Sequence, residues 1–300
     1  MTDPTTTDQD WLAERFEAER GRLRGVAYRM LGSLAEADDA VQEAWVRLSR
    51  TDTSEVENLR GWLTTVVARV CLNQLRARRT HRESPLEAHV ADPIITPQDG
   101  GGDPEYEALL GDSIGLALLA VLETLTPAER VAFVLHDVFA VPFDDIAPIV
   151  GRTPAATRQL ASRGRRRVQG APVPDTTLDG QWAVVDAFLA ASRDGDFERL
   201  VSILDPSVVL RSDGGDARPR LGTVIRGAEA VASSAMLFRR LAAGATRALV
   251  NGVPGGVVRG PDGSVFSVLS FTVARGRIVA IDVLADPDRL ARLDLGDVPG

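Results

Sequence analysis

Arginine and amide side chains gathered on helical faces are the residues of this chain best suited to chemistry, and what they offer is recognition of a polyanion. Between Thr153 and Val168, Leu160, Gly164 and Val168 form a narrow apolar line, while Thr157, Arg158, Gln159, Ser162, Arg163 and Arg166 are assigned to the face that meets DNA. Gln and Arg can make bidentate contacts to adenine and guanine edges, and further arginines suit phosphates. A second set, Arg60, Arg69, Asn73, Arg76 and Arg79, lies on and just before the polar side of an earlier helix. A third set has the opposite sign: Asp38, Asp39, Gln42 and Glu43 share the outer face of a short helix. Each set alone also suits an ordinary solvated face, and acids near a helix N-terminus are favoured by its dipole. What decides between these readings is the company the sets keep.

The elements that must position them are legible from caps and periodicity. Thr126-Pro127-Ala128-Glu129 is a capping box with proline at the first helical position, and Val131, Val134, Leu135 and Val138 follow at helical spacing. Phe143, Ile146, Ile149 and Val150 mark a shorter helix ending at Gly151, after which Thr153 caps and Pro154 opens the arginine-rich helix. Helix, tight turn and helix in this order form a helix-turn-helix pattern. Pro148 is expected to kink the shorter helix, and Gly164 to cost the reading helix about 1 kcal/mol. Upstream, a helix over 11–31 buries Phe16, Leu23, Val26, Ala27, Met30 and Leu31. Ser33-Leu34-Ala35-Glu36 caps a second, which runs to about Arg50 and turns Val41, Ala44, Trp45 and Leu48 inward. Asn58 caps a third, with Leu59, Trp62, Leu63, Val66, Val67 and Val70 as its core line; Trp62 is assigned to the core rather than to stacking on a base.

Composition bounds the compartment and the charge. The chain has 300 residues, a net charge of −8, no lysine and one cysteine. No apolar run is long enough to span a bilayer, and the first ten residues are polar and acidic, unlike a secretory leader. A cytoplasmic protein with a reduced, structural Cys71 and no membrane partner is expected. The negative total conceals a strong asymmetry. Residues 1–84 carry 13 Arg and 14 acids, 85–115 no basic residue and 7 acids, 116–170 carry 7 Arg and 5 acids, and 171–300 carry 14 Arg and 16 acids. The densest basic runs, Arg76 to Arg82 and Arg158 to Arg167, each close a helix, which suggests two contacts with one polyanion. Between them, 85–112 is rich in Pro, Asp and Gly and reads as an extended tether with little fixed structure. Its acids, Asp92, Asp99, Asp103 and Glu105 among them, suit either a merely soluble tether or a segment that threads a positively charged channel in place of nucleic acid.

Here the residues resemble a known family. The run Ala35-Glu36-Ala37-Asp38-Asp39-Ala40-Val41-Gln42-Glu43-Ala44-Trp45, with Leu59-Arg60-Gly61-Trp62-Leu63 and Arg76-Ala77-Arg78-Arg79, is similar to region 2 of the extracytoplasmic-function sigma factors of bacterial RNA polymerase, and Thr126–Val168 is similar to their region 4. The resemblance implies that Asp38, Asp39, Gln42 and Glu43 meet the clamp region of core RNA polymerase. It implies that Arg60, Arg69, Asn73, Arg76 and Arg79 engage the minus-ten element of promoter DNA, and that Thr157, Arg158, Gln159, Ser162, Arg163 and Arg166 read the minus-thirty-five element. No cofactor and no metal are implied.

Beyond the joint Gly170–Pro174 the pattern changes. Trp182, Val185, Phe188 and Leu189 mark one helix, Phe197, Leu200, Val201 and Leu204 another, and 227–238 a third; Val208-Val209-Leu210 begins strand-like sequence. Three further strands are expected over 247–253, 264–273 and 278–284, the last two joined by a hairpin at Arg275-Gly276-Arg277. This part resembles the SnoaL-like, cone-shaped fold of polyketide cyclases and ketosteroid isomerases. The expected protein is thus multidomain: a helical bundle over 1–84, an acidic linker over 85–112, a helix-turn-helix over 113–170 and an α+β cone-like SnoaL-like domain over 171–300. Sigma factors with such an extension commonly carry an Asp-Gly-Gly-Gly-Lys stretch and end it with Asn-Pro-Asp-Lys-Leu. The counterparts here are Asp213-Gly214-Gly215-Asp216-Ala217, which lacks the lysine, and Asp286-Pro287-Asp288-Arg289-Leu290. The Trp-Leu-Pro motif of the linker is absent, with Pro85-Leu86-Glu87 a poor substitute.

Relatives of the cone fold use Asp or His as general acid and base. All three histidines, His81, His89 and His136, lie outside this part, and Asp186, Asp213 and Asp282 are expected to be solvated, so no catalysis is expected. The extension reads as regulatory, packing on the sigma regions or on the linker. Two other readings fit the same pattern: a helix-turn-helix repressor with a ligand-binding cone, and a cyclase-like enzyme fused to a DNA-binding part.

Overall fold

The computed structural model of the chain describes residues 4–51, 56, 58–81, 89–96, 116–170, 175, 177–242 and 244–295. The expectations for Arg82, Pro85-Leu86-Glu87, Asp99, Asp103, Glu105, the linker prolines and glycines beyond Thr96, and the joint residues 171–174 lie outside them. The described residues fall into two compact units, one holding those of 1–83 and 122–169, the other those of 84–103, 112–121 and 170–300.

The first unit is all helical. α1 (Pro4–Leu31), α2 (Leu34–Leu48) and α3 (Leu59–His81) pack around Leu23, Met30, Leu31, Leu48, Leu63 and Leu72, all under 3 % exposed. Ser33 caps α2 by accepting from the Glu36 amide, and Asn58 caps α3 by accepting from the Gly61 amide at 2.9 Å. Trp45 and Trp62 are half-buried rather than deep in the core, and Trp45 tilts against Phe16 at 5.0 Å. α4 (Leu116–Glu123), whose residues 116–121 are grouped with the second unit, precedes α5 (Pro127–Phe133), whose capping box at Thr126 and Glu129 is fully formed. A single π-helical stretch, Val134–Val138, continues α5, where a regular helix is the sequence expectation. α6 (Phe143–Val150) runs through Pro148 without a break, its proline ring on the exposed side, and ends at Gly151 with φ +69°. α7 (Pro154–Gln169) closes the unit against α5. Gly164 has its reason there: a Cβ would stand 3.0 Å from the Phe133 Cβ, so helix propensity is given up for close approach of α5 and α7.

A buried arginine joins the two halves of this unit. Arg130, 2 % exposed, donates from Nη1 to Glu123 at 2.6 Å and from Nε and Nη2 to the Arg29 carbonyl at 3.2 Å. α3 packs on both α5 and α6 beside it. Cys71 is fully buried on the inner face of α3, and burial pushes its thiol up to about 12, against the lowering effect of Arg130.

The second unit is a seven-stranded sheet packed against helices. β1 (Ile95–Thr96), β2 (Leu204–Asp213), β3 (Thr223–Arg226), β4 (Ala245–Val250), β5 (Val253–Arg259), β6 (Val265–Ala274) and β7 (Arg277–Leu284) lie in the order β1-β4-β5-β6-β7-β2-β3, antiparallel except for β2 beside β7. α8 (Leu178–Asp194), α9 (Phe197–Ile203) and α10 (Ala228–Leu237) bury Trp182, Val185, Phe188, Leu200 and Val231 against Phe271 and Ile281; α11 (Arg239–Ala242) and α12 (Pro287–Leu290) are single turns. This is the expected α+β cone-like architecture.

The sequence expectation does not include β3, and two further departures concern strands. The expected strand over 247–253 is instead the end of β4, a turn at Asn251 and Gly252 (φ +52° and +75°), and the start of β5. β5 contains Pro254-Gly255-Gly256, residues that read as a turn in sequence, yet all are buried in mid-sheet. Gly255 is required there: a Cβ would fall 2.4 Å from the Leu269 carbonyl oxygen and 2.5 Å from the Val250 side chain. The second departure is β1. It belongs to the segment expected as a loose tether, and pairs Ile95 with Val250 and Thr96 with Leu249.

The Gly255 contact carries a prediction. Gly255→Ala should lower urea-unfolding stability by about 2 kcal/mol through overpacking, whereas Gly263→Ala, in an open loop, should lower it by less.

Candidate nucleic-acid interface and linker clamp

The α7 face is built by its neighbours. Thr153 accepts from the Ala156 amide at 3.3 Å and so starts the helix. Leu160, Ala161 and Gly164 bury its inner side. Arg158, Gln159, Ser162, Arg163 and Arg166 are exposed, as the pattern requires. Thr157 is not. It is fully buried, and its hydroxyl donates to the Thr153 carbonyl at 2.9 Å, so it braces the first turn and is withdrawn from the candidate contacts. The reason is periodicity: Thr157 lies three residues before Leu160 and seven before Gly164, on their line.

Charge compensation divides the arginines of this helix further. Arg163 stands 3.4 Å and Arg167 2.7 Å from the Glu129 carboxylate, and Arg165 donates to Asp137 at 3.0 Å. Burial alone would raise Glu129, but the Thr126 amide and hydroxyl and Arg167 outweigh it and hold this acid below its usual range. Arg152, Arg158 and Arg166 make no ion pair among the described residues. Arg158 lies 5.3 Å over the Phe143 ring, which stacks on His136 at 3.9 Å, so this guanidinium is aimed without being neutralised.

On α3, Arg69, Asn73, Arg76 and Arg79 are exposed along one face, and Arg60 is exposed at its start, 3.6 Å from Glu19. Arg78, from the same basic run, points elsewhere. It donates to the Leu31 carbonyl at 2.8 Å and pairs with Glu36, pinning α3 to the end of α1. On the outer face of α2, Asp39 and Gln42 are exposed, Glu43 pairs with Arg47 at 2.9 Å, and Asp38 is held by Arg24 at 2.7 Å. Asp38 therefore has an internal partner that sequence spacing does not reveal, since Arg24 lies on another helix.

The second unit brings together the two motifs of the extension and a piece of the linker. Asp286 caps α12 by accepting from the Asp288 amide at 3.0 Å, which sets Arg289 on the sheet side. Arg289 then donates from Nη1 to Asp213 Oδ2 at 2.8 Å, from Nε to Asp92 Oδ1 at 2.7 Å and from Nη2 to the Val90 carbonyl at 2.6 Å. Asp213 also accepts from the Val90 amide at 3.2 Å and faces His89 Nδ1 at 3.0 Å. Further along, the Ile94 amide donates to Asn251 Oδ1 at 2.7 Å and the Asn251 amide to the Ile94 carbonyl at 2.8 Å. Gly215, at φ +58°, admits Asp286: a Cβ there would lie 2.2 Å from its Oδ2. The planar fork of Arg289 holds three acceptors at once.

These contacts correct three expectations. The linker is not an extended tether throughout, because 89–96 are docked on the sheet; Asp92, 7 % exposed, is committed to Arg289 and unavailable to a polymerase channel. His89 is brought to the α+β domain although it lies outside it in sequence. The three carboxylates are also not simply solvated: Asp213 and the fully buried Asp282 are ion-paired, the latter to Arg211 at 2.6 Å, and the more exposed Asp186 accepts from Arg247 at 2.9 Å. Burial would raise Asp213, but His89, Arg289 and the Val90 amide together hold it at about 2.

A depressed carboxylate stabilises the docked form above its unfolded pKa and ceases to do so as pH falls through its folded value. Exchange protection of the Val90 and Ile94 amides, normalised to a core amide such as Ile281, should therefore be flat down to about pH 4 and fall between there and about pH 2. At neutral pH, Arg289→Ala should speed the same exchange by about tenfold or more, through loss of about 2 kcal/mol.

Comparisons with known proteins converge on one family. Residues 15–81 match the model of sigma-70 region 2, and residues 115–168 that of sigma-70 region 4. Over 290 residues the chain is 37 % identical to the extracytoplasmic-function (ECF) RNA polymerase sigma factor SigJ of Mycobacterium tuberculosis, covering 91 % of each. It is 34 % identical over 298 residues to the probable ECF sigma factor SigI of that species, covering 97 % of this chain and 99 % of the relative. The crystal structure of the M. tuberculosis SigJ protein superimposes with a TM-score of 0.77 over 95 % of this chain and 100 % of that one, at 34 % identity. With both sigma regions matched and relatives aligned over 91 % or more of their length, the chain belongs to the extracytoplasmic-function RNA polymerase sigma factors, with an α+β extension after region 4.

Proposed function

We propose that this sigma factor binds core RNA polymerase and directs promoter-specific initiation through two arginine-bearing helices, and that its α+β extension regulates it by holding the linker. The observation that carries the reading is the pairing of exposed α3 and α7 faces in a chain that is acidic overall. On this reading Arg69, Asn73, Arg76 and Arg79, with Arg60 before them, engage the minus-ten element, and Asp39, Gln42 and Glu43 meet the polymerase clamp. Asp38 contributes to that surface through its exposed edge while Arg24 orients it. At the minus-thirty-five element, Arg158, Gln159 and Arg166 make the principal contacts, and Ser162 and Arg163 flank them. The functional division is 1–84 for region 2, 85–112 for the linker, 113–170 for region 4 and 171–300 for the extension.

The extension acts by contact rather than by catalysis. Asp186, Asp213 and Asp282 are each committed to an arginine, and none of them lines the cavity of the cone. No helix among the described residues is long and apolar enough to cross a membrane, which fits a cytoplasmic site of action beside the polymerase.

In vitro transcription tests this reading. Core polymerase plus the chain should initiate at a cognate promoter, with little duplex binding by the chain alone; tight operator binding without polymerase would favour a repressor instead. Arg158→Ala and Arg166→Ala should each weaken promoter binding by about tenfold, with unfolding midpoints unchanged because both side chains are exposed. Truncation after Gly170 should change the transcript level; an unaltered level would remove the regulatory role.

A further inference from the structure

The cone encloses a cavity of about 360 Å³ between the sheet and helices α8 and α10, within the range of small-molecule sites. Its walls are apolar: Phe188 and Leu189 from one helix, Leu210, Leu269, Ile281 and Val283 from three strands. Two large hydrophobic residues stand at its rim, with Leu237 82 % and Phe238 42 % exposed. Apolar surface left to water beside an apolar cavity marks an entrance for a ligand that would cover it. The polar groups of the lining are hydroxyls, Ser192, Ser212, Thr223, Ser234 and Ser267, together with one cation, Arg220. Arg220 makes no ion pair among the described residues and is exposed. Among the described residues no Asp, Glu, His, Cys or Tyr lines the cavity, so it holds nothing able to serve as a strong general base and is built to bind rather than to convert.

The same walls continue into the linker clamp. β2 alternates, with Ser212 lining the cavity and Asp213 holding His89, Val90 and Arg289. The Ala285 amide donates to the Asp213 carbonyl at 2.7 Å, and Ala285 also lines the cavity. Arg218, in the loop that follows β2, donates to the carbonyls of Phe266 and Ala285 at 2.9 and 3.0 Å and lies 4.6 Å over the Phe266 ring, tying that loop to the start of β6 and the end of β7. A molecule that spreads these strand ends moves the residues that grip the linker.

We propose that the cavity is a binding site for an apolar small molecule with one anionic group, its apolar body inside the cone and its anion on Arg220, and that occupancy alters the hold on residues 89–96. The second part rests on the regulatory reading above; the first does not.

Two fluorescent probes test it on the full chain: 1-anilinonaphthalene-8-sulfonate, which is apolar and anionic, and N-phenyl-1-naphthylamine, its uncharged analogue. Both should bind saturably with one site per chain. Arg220→Ala should weaken the sulfonate by about tenfold and leave the amine unchanged. Ala235→Phe, which fills the cavity from α10, should abolish both; Ser267→Phe, from the sheet side, repeats the test, each variant being scored only with an unchanged far-ultraviolet spectrum. Retention of both probes by a folded filled variant, or equal weakening of the two by Arg220→Ala, overturns the site. For the coupling, saturating sulfonate should change Val90 and Ile94 amide exchange at least severalfold in the parent chain and not in Ala235→Phe. Saturable binding with unchanged exchange overturns the coupling and leaves the site standing, while a failed transcription assay would leave both binding results intact.

Discussion

One guanidinium, that of Arg289, decides the form of the linker. A short two-residue strand such as β1 has too few backbone hydrogen bonds to stay on a sheet by itself. Arg289 supplies what is missing by joining Asp92, the Val90 carbonyl and Asp213, and Asn251 secures the far end through its contacts with Ile94. Its own position depends on Asp286 capping α12 and on Gly215 leaving room for that carboxylate. Two short motifs, far apart in sequence, thereby act as one device. One acid of the linker has its explanation here: Asp92 is the counterion of Arg289, and an apolar or basic residue in its place would leave a partly buried guanidinium without its partner.

In the helical unit a second arginine has a comparable structural part. Arg130 is nearly inaccessible, and a buried charge is tolerated only when its hydrogen bonds are met. Glu123 neutralises it, and the Arg29 carbonyl at the end of α1 takes two of its donors. Helix α5 of region 4 is thus tied to the bundle of region 2, and the α3 and α7 faces belong to one compact unit. The remaining cations follow a division of labour. Arg78, Arg165 and Arg167 are spent on internal acids, which leaves Arg158 and Arg166 as cations of α7 with no ion pair among the described residues.

The cone adds a different kind of surface. Its cavity is apolar where the cavities of catalysts need an acid or base, and Asp213 and Asp282, on strands that line it, are not among its lining residues. Alternation along β2 puts the lining residue Ser212 and the clamp residue Asp213 one position apart. Geometry of this kind links binding inside the cone to the grip on the linker without any group that must react.

By itself the sequence determined the longer helices and the strands β2, β6 and β7, because caps and apolar periodicity are local properties. Thr126 with Glu129, Ser33 with Glu36, and Arg275-Gly276 act within a few residues, and their elements stand where the pattern places them. Family resemblance likewise rested on contiguous runs and is matched over both sigma regions. Only the tertiary structure decided which charges are free. Asp38, Asp92, Asp213 and Arg130 look alike in sequence to solvated residues, yet each has a partner on a distant segment. β5 was hidden for a related reason: Pro254-Gly255-Gly256 signals a turn locally, while the close approach of the Leu269 carbonyl demands glycine in a buried strand. Ion pairing and close approach depend on distance in space, and sequence spacing reports that distance only within a single element.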